Sequence, residues 1–461
     1  YERPEVETPA AWQTDPGWRL AAPSHAPLAL DWWRMFDDPF LDTLETRALA
    51  QNQTLAAASA HYAQATATLA AISSQQLPEL DLDANVARAK VSKNRPQLNY
   101  ATPNQSTVQN QVVVGPSITY DVDLFGRIRR EVESASASAE QAGDDLANAR
   151  LVLTSDLATA YYALRERDAE IDVLDRSVQL QEKALDYVNA KHELGAVSGL
   201  GLAQQQSQLD STRVQATLLR QQRAQYEHAI AALIGTPAPQ FSIAPRLVPM
   251  VVPDIAAGVP SELLERRPDI AAAERAMAAA NAQIGAAKAA FFPDLTLSPG
   301  IGWESTRFAN LLSAPSLMWT VGATLKQAVF DGGQRKANLA FANQGYRATV
   351  ANYRQAVLSA FQQVQDGVTG LAVLALAASQ SQAAVDDAKR LLSLANDRYS
   401  GGLVAYLDVI SAQQSLLTSE RQDAQVRGQR IALAVSLVKA LGGGWQAQTS
   451  AGTDAVARRR G

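Results

Sequence analysis

Twice in this chain, apolar residues recur at three- and four-residue spacing across sixty-odd positions with few helix breakers between them. The first seam runs from about Arg129 to Lys191 and includes Leu157, Tyr161, Leu164, Ile171, Leu174, Val178, Leu185 and Val188. The second runs from about Gln334 to Tyr399 and includes Phe361, Val364, Val368, Leu371, Val385 and Leu392. Such spacing lays one apolar stripe along a helix and packs it in coiled-coil fashion. At ~1.5 Å per residue each seam predicts a rod of roughly 90–100 Å. A globular helix averages only about 11–12 residues, so these are not globular-domain helices.

Each rod ends at a glycine-bearing turn, "KHELGAVSGLGLAQQQ" from Lys191 and "RYSGGLVAYLDVISAQQ" from Arg398. The two superpose with Gly195 on Gly402, 207 positions apart. Return helices follow over about Leu200–Leu233 and Leu407–Leu441, and they close on Gly235 and Gly442, again 207 apart. The duplication extends upstream, where a helical stretch in each half ends at a proline, Pro78 or Pro293, and alternation begins. Leu80, Leu82, Ala84 and Val86 share one face, as do Val112, Val114, Ile118 and Tyr120. In the second half the matching faces are Leu295, Leu297, Ile301, Trp303 and then Trp319, Val321, Ala323, Leu325. Period two with one apolar face predicts strands, near 79–90, 110–124, 294–304 and 318–330. Four strands cannot close a barrel, and an open sheet leaves two unprotected edges. Three chains would supply twelve strands and remove both edges.

Composition excludes several function classes. A net charge of −5 with 19% charged residues offers no basic surface for nucleic acid. The absence of cysteine removes disulfides, thiolate metal sites and cysteine nucleophiles. His25, His61, His192 and His228 stand far apart, with no metal-ligand pairing. "FDGGQRK" from Phe330 lacks phosphate-loop spacing and reads as a strand-to-helix turn. No enzymatic constellation, cofactor site or metal site emerges. No run reaches ~18 consecutive apolar residues, which leaves open a soluble coiled-coil scaffold or a β-barrel membrane protein, whose strands are too short to show in hydropathy. Tyr1 is not a natural start, which predicts a processed or trimmed mature chain.

Local signatures then point to a family. "YERPE" opens the chain, followed by "WWRMFDDPFLDTL" from Trp32, "YDVDLFGRIRR" from Tyr120 and "ELLERRPDIAAAER" from Glu262. "AKAAFFPDLTLS" from Ala287, "RYSGGLVAYLDV" from Arg398 and "KALGGGW" from Lys439 complete the series. In this order they closely resemble the TolC-like outer-membrane factors, in particular the OprM-like lipoprotein branch that serves resistance-nodulation-division (RND) pumps. The resemblance covers roughly Tyr1–Trp445. It implies a mainly α protein with a membrane β-barrel: a homotrimeric 12-stranded β-barrel, four strands per chain, continued by a long periplasmic α-helical barrel and internally duplicated. The expected organisation is an N-terminal arm and equatorial segment (1–40), a first repeat (41–235), a Pro-rich equatorial connection (236–262), a second repeat (263–445) and a flexible tail (446–461). The implied function is the outer-membrane channel of a tripartite efflux system, a passive exit duct for drugs and other small molecules. Its implied partners are a periplasmic membrane-fusion adaptor, an inner-membrane RND pump and outer-membrane lipid. The implied location is the outer membrane of a Gram-negative bacterium, extending into the periplasm, with a lipid anchor on a cysteine upstream of Tyr1. A duct for type I protein secretion or heavy-metal export remains the alternative; only four methionines weigh slightly against copper.

By the same resemblance, the tips Gly195–Ala196–Val197 and Gly402–Leu403–Val404 face the adaptor. Their glycines also have a local reason, because sharp helix–helix turns need φ > 0, and the two readings are compatible. The expected periplasmic gate comprises Leu407, Asp408, Ser411, Tyr399 and Gly201. Asp408 is either a helix-start aspartate favoured by the dipole or one of three carboxylates around a pore axis. The family often carries L-D-x-x-D-A where this chain reads Leu407–Asp408–Val409–Ile410–Ser411–Ala412, so one acidic ring is kept and a second has become serine. The family's first hairpin commonly bears an aspartate where this chain has Gly201. Tyr399 therefore lacks its usual acceptor, and Ser198 or a glutamine of Gln204–Gln206 is the expected substitute.

Overall fold

The computed structural model describes residues 1, 9, 12, 29–90, 92–94, 107–255 and 260–446. Most of the N-terminal arm, part of the equatorial connection and nearly all of the C-terminal tail therefore lie outside the described residues. Two compact units emerge, and each draws on both halves of the chain.

The first unit is built around 62–142 and 273–353 and contains the sheet. Its spine is β2 (Val108–Val122), whose residues 108–119 pair antiparallel with the whole of β1 (Glu79–Lys90). On its other side β2 pairs with β3 (Asp294–Leu297) and β4 (Gly300–Ser305), which in turn pair with β6 (Ala323–Lys326) and β5 (Leu317–Thr320). The result is a four-ply sheet with β1 at one edge and β5 with β6 at the other.

Where the sequence predicts single strands at 294–304 and 318–330, each ply comes in two pieces, broken at Ser298–Pro299 and at Val321–Gly322. Proline has no N–H to give a ladder. Irregular bonds replace it: the Ile118 amide donates to the Pro299 carbonyl at 3.1 Å, and the Ser298 amide to Gly322 at 2.8 Å. The last ply also ends earlier, at Lys326, and Asp331 caps the next helix by accepting from the Gly333 and Arg335 amides.

Register decides which residues share a face. Leu80 opposes Ile118, Ala84 opposes Val114 and Val86 opposes Val112. Val114 opposes Trp303, Ile301 opposes Trp319, and Leu295 opposes Leu325. Directly opposed residues point to the same side, so this is one continuous apolar face, and Leu82 and Trp319 on it are about three-quarters exposed. The other face is polar: Ser117 donates to Asp83 at 2.6 Å, Thr296 to Asp121 at 2.6 Å and Gln111 to Glu304 at 2.9 Å. An exposed apolar face backed by a hydrogen-bonded polar one is the pattern of a barrel wall in lipid.

The helices are α1 (Pro39–Gln51), α2 (Gln53–Ser73), α3 (Arg127–Glu193), α4 (Gly199–Leu233), α5 (Leu263–Arg266), α6 (Pro268–Ala289), α7 (Gln334–Ser400) and α8 (Tyr406–Ala440). α3 and α7 have 67 residues each, α4 and α8 have 35 each, and all four pairs of ends are offset by 207. Among the described residues, α7 is the one helix with an 18-residue window apolar enough to cross a membrane, at mean hydropathy 1.4. It also contains the second apolar seam.

The second unit holds most of the two helical hairpins, α3–α4 and α7–α8, together with α1. Asp38 starts α1 by accepting from the Phe40 amide, and Tyr161 on α3 donates to the same carboxylate at 2.6 Å. Buried Leu157, Leu164, Ile230 and Ile234 contribute to the core of this unit. The described part of the Pro-rich connection after α4 is anchored by a buried ion cluster. Asp168 accepts from Arg165 at 2.8 Å, from Arg223 at 2.6 Å and from the Arg246 amide at 3.2 Å. Arg223 and Arg165 also donate to the Ile243 and Ala244 carbonyls. A segment with no ladder of its own thereby satisfies its backbone on the first hairpin.

Candidate channel gate and docking tips

The two hairpin tips close identically. Gly195 and Gly402 both adopt φ 73°. The Gly195 amide donates to His192 and the Ala196 amide to Lys191; 207 residues on, Gly402 donates to Tyr399 and Leu403 to Arg398. This is a Schellman closure, in which a left-handed glycine lets two amides reach back to otherwise unpaired helix carbonyls. A Cβ at either glycine would meet nothing within 4 Å, so only the backbone conformation requires glycine there. Ala196 and Leu403 are exposed, while Val197 and Val404 are half-buried.

Beyond the turns the copies diverge. In the first, His192 Nδ1 lies 2.8 Å from the Val197 carbonyl, clipping the turn across its neck. Its counterpart Tyr399 instead packs edge-on against Tyr406, ring centroids 5.0 Å apart. Tyr406 stands where the first copy has Gly199. It is 9% exposed, and its hydroxyl has no hydrogen-bond partner. Burial pushes its phenol up to about 12, with Tyr399 and Tyr187 adding to the shift. Sequence reasoning missed this residue; aligning the copies at 207 would have found it as a tyrosine replacing glycine at the first position of the return helix.

The expected gate residues separate into two environments. Leu407, Asp408 and Ser411 lie exposed on the first turns of α8, and the Ser411 hydroxyl donates to the Leu407 carbonyl at 2.9 Å. Tyr399 is half-buried inside the tip. Gly201 faces Val197, whose Cγ1 would lie 3.1 Å from a Cβ built there. The substitutes expected for the missing acceptor do not reach Tyr399. Ser198 accepts from the Gly201 amide to cap α4, Gln205 donates to the Gln181 carbonyl, and Gln206 donates to Asp210. Among the described residues, no hydrogen bond joins Tyr399 to any of them or to Gln204.

The hairpins meet instead through an apolar cluster at the tips. Val188, Val197 and Leu202 come from the first, and Tyr399, Tyr406 and Val409 from the second. Further from the tips the contact becomes ionic. Glu170 on α3, fully buried, accepts from Arg421 at 3.1 Å and Gln425 at 2.9 Å on α8, and from Arg167 on its own helix. Arg421 also donates to Gln215 on α4 at 2.8 Å. One turn before Glu170, the Glu166 carboxyl sits where a Cβ on Gly428 of α8 would be. Burial raises Glu166 to about 7, against the lowering by Arg167.

A sheet with an apolar outer face and two open edges, in a chain with duplicated long hairpins, defines the protomer of a trimeric outer-membrane channel with a helical extension. The chain belongs to the outer membrane efflux protein family, whose model matches residues 44–236 and 259–443. It is 32% identical over 445 residues to the pyoverdine export outer membrane protein OpmQ of Pseudomonas aeruginosa, covering 96% of this chain and 92% of that one. It is 29% identical over 451 residues to the probable efflux pump outer membrane protein SepC of Pseudomonas putida, covering 96% and 93%. The open-state structure of the Neisseria gonorrhoeae MtrE outer membrane channel superposes with a TM-score of 0.85 at 28% identity, covering 97% of this chain and 99% of that one.

Proposed function

We propose that this chain is the passive exit duct of a tripartite efflux system, carrying small molecules across the outer membrane with no catalysis and no cofactor of its own. An inner-membrane RND pump supplies the energy, and a periplasmic adaptor grips the two tips. The observation that carries this reading is the pair of matching Schellman turns, each presenting a small or apolar residue, Ala196 or Leu403, where an isolated turn would be polar. Relatives named for pyoverdine export and toluene efflux support a small-molecule cargo. An acylated cysteine upstream of Tyr1 completes the proposal; the intact mass of the native mature protein would reveal the lipid.

Leu407 and Asp408, exposed at the start of α8, form the resting aperture when three copies surround the axis. Leu407 narrows it sterically and Asp408 attracts cations, since a narrow low-dielectric mouth focuses the field of its charges. Ser411 leaves this gate with one acidic ring.

Val197 and Val404 are half-buried, so the cleaner docking probes are Ala196→Asp and Leu403→Asp. The double variant is expected to abolish export while the trimer still assembles in the outer membrane. Normal export from it would refute docking at the tips. Asp408→Ala is expected to lower cation selectivity in planar bilayers; an unchanged reversal potential would return Asp408 to a solvated helix-start residue.

A further inference from the structure

We propose that within each protomer the resting gate is held by an apolar clasp centred on Tyr406, and not by a hydrogen-bonded lock. The inference rests on the gate reading above and identifies what keeps that gate shut. Position 201 is glycine, Ser198 is committed to capping α4, and His192 is committed to Val197 within its own turn. Among the described residues no hydrogen bond or ion pair joins the two hairpins at their tips; the nearest are those of Arg421 with Gln215 and Glu170. Apolar contact holds what remains: Tyr406 lies with Tyr399 and Val409 against Val188, Val197 and Leu202 of the other hairpin.

The unpartnered hydroxyl identifies the ring as the working part of Tyr406. A buried hydroxyl without a partner loses its hydration and gains nothing in return. The packed tip therefore carries a cost that solvent relieves once the second hairpin swings away. The clasp is biased toward release, and its strength comes from packed area, which salt screens little.

The test uses the full-length trimer in planar bilayers. Tyr406→Ala is expected to raise the open probability about tenfold or more, because it empties a packed site. Tyr406→Phe is expected to leave the gate at least as tightly shut as the native residue, and 1 M salt to leave closure unchanged. Val188→Ala, which reads the clasp from the other hairpin, is expected to open the gate in the same direction and decides between clasp and lock if Tyr406→Ala fails to assemble. Opening by Tyr406→Phe as large as by Tyr406→Ala would overturn the proposal in favour of a polar lock. Native behaviour of Tyr406→Ala, with Leu407→Ala opening the pore, would sink the clasp and leave the gate standing. Native behaviour of both would remove the gate reading itself.

Discussion

Arg421 of the second hairpin grips Glu170 of the first, with Nη2 and Nε at 3.1 and 3.3 Å from one oxygen of a fully buried carboxylate. The two residues are 251 positions apart, and with Gln215 and Gln425 they fasten α3 and α4 to α8. Removing one partner of a buried pair leaves the other charge uncompensated, typically at about 3–5 kcal/mol. Glu170 keeps Arg167 and Gln425, so Arg421→Ala is expected near ~3 kcal/mol. It should appear as a lower melting temperature of the detergent-solubilised trimer. Arg421→Lys should not restore it, because an ammonium cannot reproduce the fork that reaches Glu170 and Gln215 together. A native melting temperature in Arg421→Ala would show that the pair carries no net stabilisation.

Glu45 gives the fold a pH dependence of the opposite kind to a salt bridge. Its side chain is fully buried on α1, neither carboxyl oxygen has a partner, and burial raises its pKa from 4.5 to about 9. The folded state holds a proton that the unfolded chain releases near 4.5, so the favourable contribution is complete below that pH and is lost as pH rises toward about 9. Glu45→Gln is expected to flatten the stability profile over this window. Its gain over the native protein should be larger at pH 8 than at pH 5, because the glutamine amide has no proton to hold against rising pH. Thermal melts at pH 5 and pH 8 would read this, and a larger native advantage at pH 8 than at pH 5 would contradict it.

Leu82 and Asp83 are neighbours in β1 on opposite faces of the sheet. Leu82→Lys places a charge on the lipid side at about 2–4 kcal/mol if it lies near the bilayer midplane. Asp83→Lys changes the polar side and loses only the Ser117 contact. Insertion and trimer yield should fall in the first variant and persist in the second; equal yields would invert or abolish the assigned faces.

Gly402 and Gly442 both require positive φ, at 73° and 92°, but for different totals. Nothing crowds Gly402, so Gly402→Ala carries only the left-handed backbone cost of roughly 1–2 kcal/mol. A Cβ at Gly442 would also collide with the Arg266 carbonyl, adding displacement of a packed backbone. Gly442→Ala should therefore prevent trimer recovery under conditions where Gly402→Ala trimers survive. Equal recovery of the two would show that the Arg266 backbone gives way freely.

The duplicated hairpins were legible because their signals are local. A seam at three- and four-residue spacing and a glycine at the helix end encode rod and turn without reference to anything distant. The face of each strand was legible for the same reason, since alternation in Leu80–Val86 or Val112–Tyr120 needs no partner. The breaks after Leu297 and Thr320 were harder to read, because Pro299 ends a ladder only where a neighbouring amide or carbonyl is due. The Asp168 cluster was out of reach: its partners come from 165, 223 and 246, and only the fold brings them together. At the proposed gate, Gly201 and Ser411 stand where the resembled family commonly carries aspartates. Tyr406, central to the proposed clasp, shows in the sequence only when the two copies are aligned at 207, because packing leaves no local motif.

The central claim, that three of these chains close one membrane duct, is tested most directly by native mass and symmetry of the purified full-length protein in detergent. The expected particle contains three copies of the chain, with three-fold symmetry and six near-equivalent hairpins in its helical ring. A monodisperse monomer that stays soluble without detergent would contradict it.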